Sequence, residues 1–276
     1  MKKKHYIQKL GNCICYDLRE GVLGMFPLYI LAGCFMAFFA YDAGLRLERT
    51  VGNPSALDLA VYVFQGMGEY IYVKGGPQFE IPIAYLVIAL LSGLFACYYS
   101  RREWNMRGNT YIPRYGTKGI WWFSKCIWCM MQMIVLYGIF FLIFWIMAAV
   151  GGNPTLTLSS GIAASLDGMP LTYDTASFLL YIYVLGPVTA IALNQLLVTL
   201  QMLFHPVAGY TLVMGILTAS AYFFRGYLVG NNQMLLRTVL FRPDGIRFSQ
   251  GLFYALMIWL LCVLAGRWII SKKDIL

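Results

Sequence analysis

Forty-one consecutive residues, Cys126–Leu166, carry no charged side chain, and a second charge-free run covers Ile81–Tyr99. Runs of that length identify the solvent before they identify anything else. A soluble domain carries roughly 25% charged residues; this chain of 276 has 12%, against 60% hydrophobic. The expected solvent is lipid. A spanning helix needs about 20 mostly apolar residues, and six stretches qualify: 22–41, 81–99, 126–150, 175–200, 206–224 and 250–270. Strands of a membrane barrel would alternate every second residue, whereas MIVLYGIFFLIFWIMAAV does not alternate. The expected fold is an all-α membrane protein of six transmembrane helices. It forms one transmembrane domain over residues 1–276, with no segment between spans long enough to bury a core of its own.

The net charge of +9 follows from the same layout. With both termini cytoplasmic, the inner segments hold five Lys and Arg in 1–21, six in 100–125, none in 201–205 and three in 267–276. The outer segments hold three in 42–80, none in 151–174 and four in 225–249, so 14 lie inside against 7 outside. The positive-inside rule accounts for that balance, and nucleic acid is excluded as a partner. Upstream of the first span, Ile7, Leu10, Ile14 and Leu18 fall on one helical face. This fits an interfacial helix on the inner leaflet, its lysines beside anionic lipid; a basic tail without structure is the alternative.

Two outer segments are oddly apolar. Ala56–Val73 could be counted as a seventh span, but Asp58 and Glu69 would each cost roughly 2.5–3.5 kcal/mol near the bilayer centre. It is expected as a helix on the outer face. Tyr227–Leu240 is short and broken by Gly230-Asn231-Asn232. It is expected as a re-entrant or interfacial segment, with Arg237, Arg242 and Arg247 near the outer headgroups.

Absent motifs narrow the class. The chain has no GxxxxGK[ST] and no HExxH, and its two histidines, His5 and His205, cannot complete a zinc site with Cys126-Ile-Trp-Cys129. The seven cysteines avoid the outer loops and are expected as thiols. No metal is expected. Ser159-Ser160-Gly161 is a weak echo of a nucleophile turn, without a histidine to serve it. Ion-coupled transporters keep ionisable groups at membrane depth, and 126–166 and 175–224 have none. Asn194 and Gln195 are the strongest polar groups there. Interhelical hydrogen bonding is the common use of such amides; with Asn231 and Asn232 they are also the candidates for lining a substrate path. The chain is expected not to be an enzyme, and energy for any transport has to come from another polypeptide.

The place for such energy to enter is Ser100–Lys125, SRREWNMRGNTYIPRYGTKGIWWFSK, a basic island with a single acid, Glu103. Its second half, Arg114-Tyr-Gly-Thr-Lys-Gly-Ile-Trp-Trp-Phe-Ser-Lys125, resembles a signature of the type 2 permease subunits of ATP-binding-cassette exporters, in a branch common in Gram-positive bacteria. Thr117 stands where serine is common. Asp58–Gly66, Phe79-Glu-Ile-Pro82, Met234-Leu-Leu-Arg237 and the closing Lys272-Lys-Asp-Ile-Leu276 extend the resemblance in order along the chain.

The resemblance implies a coupling helix between spans 2 and 3 that docks on a cytoplasmic ATPase, with Trp104, Arg107, Arg114, Tyr115, Gly116 and Lys118 on the docking surface. Trp121, Trp122 and Lys125 would anchor the membrane boundary, where indoles prefer to sit. It also implies a homo- or heterodimer of permeases with two ATPases in the cytoplasmic membrane. ATP and magnesium would sit on the partner, and this chain would bind no cofactor. Cargo would be hydrophobic or amphipathic: a peptide, lipid or drug. The alternative is a membrane scaffold or immunity protein that binds a toxic peptide without an ATPase.

Overall fold

The structure, a computed structural model, describes residues 2–75, 78–106 and 117–272, with side chains described for 8–75, 78–99 and 117–272. Among these residues the regular structure is helical and no strand forms; one isolated bridge joins Thr238 and Ile246. We number the helices α1 (Lys2–Gly21), α2 (Phe26–Val51), α3 (Ala56–Phe64), α4 (Ile83–Met106), α5 (Lys118–Val150), α6 (Thr175–Leu203), α7 (Pro206–Tyr222) and α8 (Phe248–Lys272). Four helical stretches are long and apolar enough to cross a membrane: Gln8–Val51, α5, α6 and α8. Ile83–Tyr99 and α7 are shorter apolar helices. This is the architecture of a membrane protein.

Helices α2 and α4 to α8 alternate in direction. One end of the bundle collects α1, the end of α4, the start of α5 and the end of α8. The far end collects α3 and the connections after α2, α5 and α7. Local chemistry sets most boundaries. Pro27 occupies the first turn of α2, where its missing N–H costs nothing, after a 3-10 turn at Leu23–Met25. Gly52, at φ +81, stops α2. Thr117 caps α5 by accepting the Ile120 N–H at 3.3 Å. Asp174 caps α6 through Ala176 and Ser177. Within α6, Leu180–Leu185 widens into π-helix just before Gly186-Pro187. Proline there has no N–H to donate and crowds the preceding turn, which a π-bulge relieves.

Two helices overrun the sequence-based limits. Helix α2 continues past residue 41 to Val51, because Leu45, Arg46, Leu47, Glu48 and Arg49 favour helix and Asp42 pairs with Arg46 four residues on. Helix α5 begins at Lys118 rather than 126. Its 33 residues extend about 50 Å at 1.5 Å each, beyond a hydrocarbon core of about 30 Å.

The far end differs most from expectation. Helix α3 is shorter than Ala56–Val73 and is packed against α2 and α5, with Ala56 through Val61 buried, rather than lying exposed on a face. Asp58 is tolerable there because it is fully satisfied. It closes a capping box with Ser55 and accepts the Ser159 N–H at 2.9 Å and the Ser159 hydroxyl at 2.6 Å. That Ser159 is a structural donor. Residues 229–237 form two buried 3-10 turns. The Leu236 N–H meets the Gln65 carbonyl, so the two non-spanning segments make one plug.

Arg237 is the pin of that plug, completely buried and not near headgroups as its charge suggests. Its guanidinium donates to the carbonyls of Met67, Gly68, Ser220, Ala221 and Phe223 and to Asn231 Oδ1. Three of those carbonyls belong to the unpaired C-terminal end of α7, whose partial negative charge favours a cation. Burial lowers the Arg237 pKa to about 10, so it remains charged at neutral pH. Arg242 does lie at the surface, paired with Glu69 and Asp244 at 2.9 Å each.

Candidate functional site

The first turns of α5 gather the polar chemistry of the α1 end. Lys125 Nζ lies 2.6 Å from Asp17 Oδ1 of α1 and 3.4 Å from the Tyr99 hydroxyl of α4. Tyr99 donates to the same Asp17 oxygen at 2.8 Å, and the Ser124 hydroxyl donates to Asp17 Oδ2 at 2.5 Å. None of the four residues is more than 4% exposed. The ammonium also stands 4.7 Å from the Tyr99 ring centre and 5.5 Å from that of Trp121, within cation–π range. A buried carboxylate with one cation and two hydroxyl donors is one of the few arrangements that offsets its own desolvation.

Two indoles extend the joint. Trp128 donates to the Gly21 carbonyl at 2.9 Å and packs on Tyr99 with ring centres 4.5 Å apart. Trp122 donates to the Val263 carbonyl of α8 at 2.8 Å. Each indole lies directly over a glycine, Gly21 and Gly266 respectively, where any Cβ would run into the ring. The start of α5 is thereby bound to α1, α4 and α8 at once. A displacement of the chain just before Thr117 would be delivered to four helices.

Trp121, Trp122 and Lys125 do come together, but as buried members of this joint rather than as side chains displayed to headgroups. The physical reason is supply of partners: Asp17 and Tyr99 satisfy the Lys125 ammonium, and the Val263 carbonyl satisfies the Trp122 indole, inside the protein. Lys118 is the first residue of α5 and half-buried. Trp104 lies in the last turn of α4 with its side chain outside the described residues, and Arg107, Arg114, Tyr115 and Gly116 lie outside them entirely. Asp17, Tyr99, Gly21 and Gly266 escaped the sequence reading. The available signal for Asp17 was an acid, one of two with Glu20, on an otherwise basic helix.

The four amides expected along a substrate path are buried, each bonded to neighbours inside the protein. Asn194 and Gln195 of α6 are buried and donate to Met133 Sδ and Cys126 Sγ of α5. Asn231 donates to the Phe223 and Arg225 carbonyls, and Asn232 to the Gly251 carbonyl at 3.1 Å. None of the seven cysteines is joined in a disulfide. Among the described residues no cluster of His, Cys, Asp and Glu could hold a metal ion. Comparison with family models, curated proteins and solved structures finds no match to this chain.

Proposed function

We propose that this chain is the six-span permease subunit of an ATP-driven exporter of the type 2 class, seated in the cytoplasmic membrane with both termini inside. The observation that carries the reading is the buried Asp17–Lys125–Tyr99–Ser124 cluster. It joins the basic N-terminal helix, the end of α4 and the start of α5 on either side of the island's basic segment. A loop whose two flanks are bound to each other and to α8 suits the transfer of force from a docked protein. ATP and magnesium would bind to that partner. In this reading residues 104–118 supply the docking surface of the coupling helix, two permeases pair with two ATPases, and the cargo is hydrophobic or amphipathic. The far-end plug pinned by Arg237 would be the outer closure of the path.

The test is ATP hydrolysis by the ATPase that co-purifies with the chain. Arg114→Glu with Lys118→Glu is expected to abolish permease-stimulated hydrolysis while the assembled chain stays folded. Undiminished stimulation overturns the coupling assignment. Consistent absence of a nucleotide-binding protein from pull-downs overturns the exporter class in favour of a scaffold.

A further inference from the structure

A cavity of about 410 Å³ opens at the far end between α2, the end of α3 and the start of α4. Pockets for small ligands begin at about 300 Å³. Its α2 wall carries Phe38, Asp42 and Arg46, spaced four apart and so stacked on one helical face. The two halves of the cavity differ in chemistry. Phe38 and Ile83, at 64% and 72% exposed, form an apolar mouth. Behind it, Arg46 Nε is 3.0 Å from Asp42 Oδ2, and the Tyr62 hydroxyl shares the guanidinium. Asp167 completes the head, held over the cavity by its backbone N–H to Gln65 Oε1 at 3.2 Å. Its exposed carboxylate has no ion-pair partner among the described residues.

We infer that this cavity binds the phosphoethanolamine head of an amphiphile whose chain lies along Phe38 and Ile83. Arg46, with Tyr62 beside it, offers charge-assisted donors to a phosphate. Asp42 and Asp167 offer carboxylates to a primary ammonium, which donates up to three hydrogen bonds. An anionic head without an amine leaves two carboxylates facing negative charge. A quaternary ammonium has no N–H to give them. The apolar mouth selects a lipid over the free head. The inference rests on the membrane placement proposed above and does not involve the ATPase.

Native mass spectrometry of the purified full chain, titrated with defined phospholipids in detergent, measures retention directly. Phosphatidylethanolamine is expected to be retained at least about tenfold more tightly than phosphatidylglycerol or phosphatidylcholine. Asp42→Asn should erase about tenfold of that preference, the worth of one charge-assisted contact, whereas Arg46→Gln should weaken all three phospholipids about tenfold, because all three carry the phosphate. Both residues are partly exposed, so the unliganded unfolding midpoint should hold and separates lost binding from lost fold. Equal retention of phosphatidylglycerol, undiminished preference in Asp42→Asn, or undiminished lipid binding in Arg46→Gln overturns the site. Equally tight binding of soluble glycerophosphoethanolamine overturns the lipid assignment in favour of a small soluble ligand. The measurement needs no ATPase, so its failure is distinct from failure of the exporter reading.

Discussion

Lys125 Nζ sits 2.6 Å from Asp17 Oδ1, a buried ion pair between residues 108 apart in sequence. Removing one member leaves the other charge buried and alone, which costs about 3–5 kcal/mol. Lys125→Met and Asp17→Leu are therefore each expected to lower the unfolding midpoint in detergent strongly. The double variant Asp17→Leu with Lys125→Met should recover most of that loss, because no charge remains unpaired. Thermal unfolding of the three variants checks this. Additive losses in the double variant would show that the pair is not coupled.

Trp122 and Gly266 make a second, purely steric relationship. A Cβ on residue 266 would occupy the space of the indole, so Gly266→Ala must move either α8 or the ring. Overpacking of this kind costs about 1–3 kcal/mol. Adding Trp122→Leu makes room for the new methyl, at the cost of the hydrogen bond to the Val263 carbonyl. The two changes should then be strongly non-additive. Comparing unfolding midpoints across the four members of the cycle measures that coupling.

Arg237 serves carbonyls from two segments and the amide of a third residue. Lysine keeps the charge, but its compact ammonium has three donors and cannot span these acceptors. Arg237→Lys is expected to cost about 3 kcal/mol or more, since each buried acceptor left unmet costs about 1–3 kcal/mol. The loss should be local. Hydrogen exchange should accelerate in 66–68 and 225–247 while the α1 end, where Asp17 and Lys125 meet, keeps its protection. Uniform acceleration throughout the bundle would show that the plug is not a separate unit.

The lipid character, the helical class and the approximate places of the long helices were legible in the charge-free runs, because hydrophobic length is a one-dimensional signal. The start of α7 was legible because Pro206 is a local signal, whereas the ends of α2 at Gly52 and of α5 at Thr117 were missed because both helices run on through polar residues. Arg237 was misplaced for the opposite reason. Its charge predicts a wet site, and only the unpaired carbonyls at the end of α7, brought to it by folding, make a dry site tolerable. Asn194 and Asn231 likewise looked like path-lining amides until their acceptors and donors were accounted for.

Composition and patterning alone determined that this chain belongs in lipid, that its long segments are helices and that Ser100–Lys125 interrupts them with positive charge. Each follows from transfer of side chains and peptide groups out of water, which depends on which residues stand next to one another along the chain. Tertiary structure decided what the conspicuous residues are for. Lys125 became a buried partner of Asp17, the tryptophans became lids over glycines, and Asp58 and Arg237 became satisfied core charges. Those outcomes depend on donors and acceptors far apart in sequence, and a buried charge is stable only where folding brings them within about 3 Å.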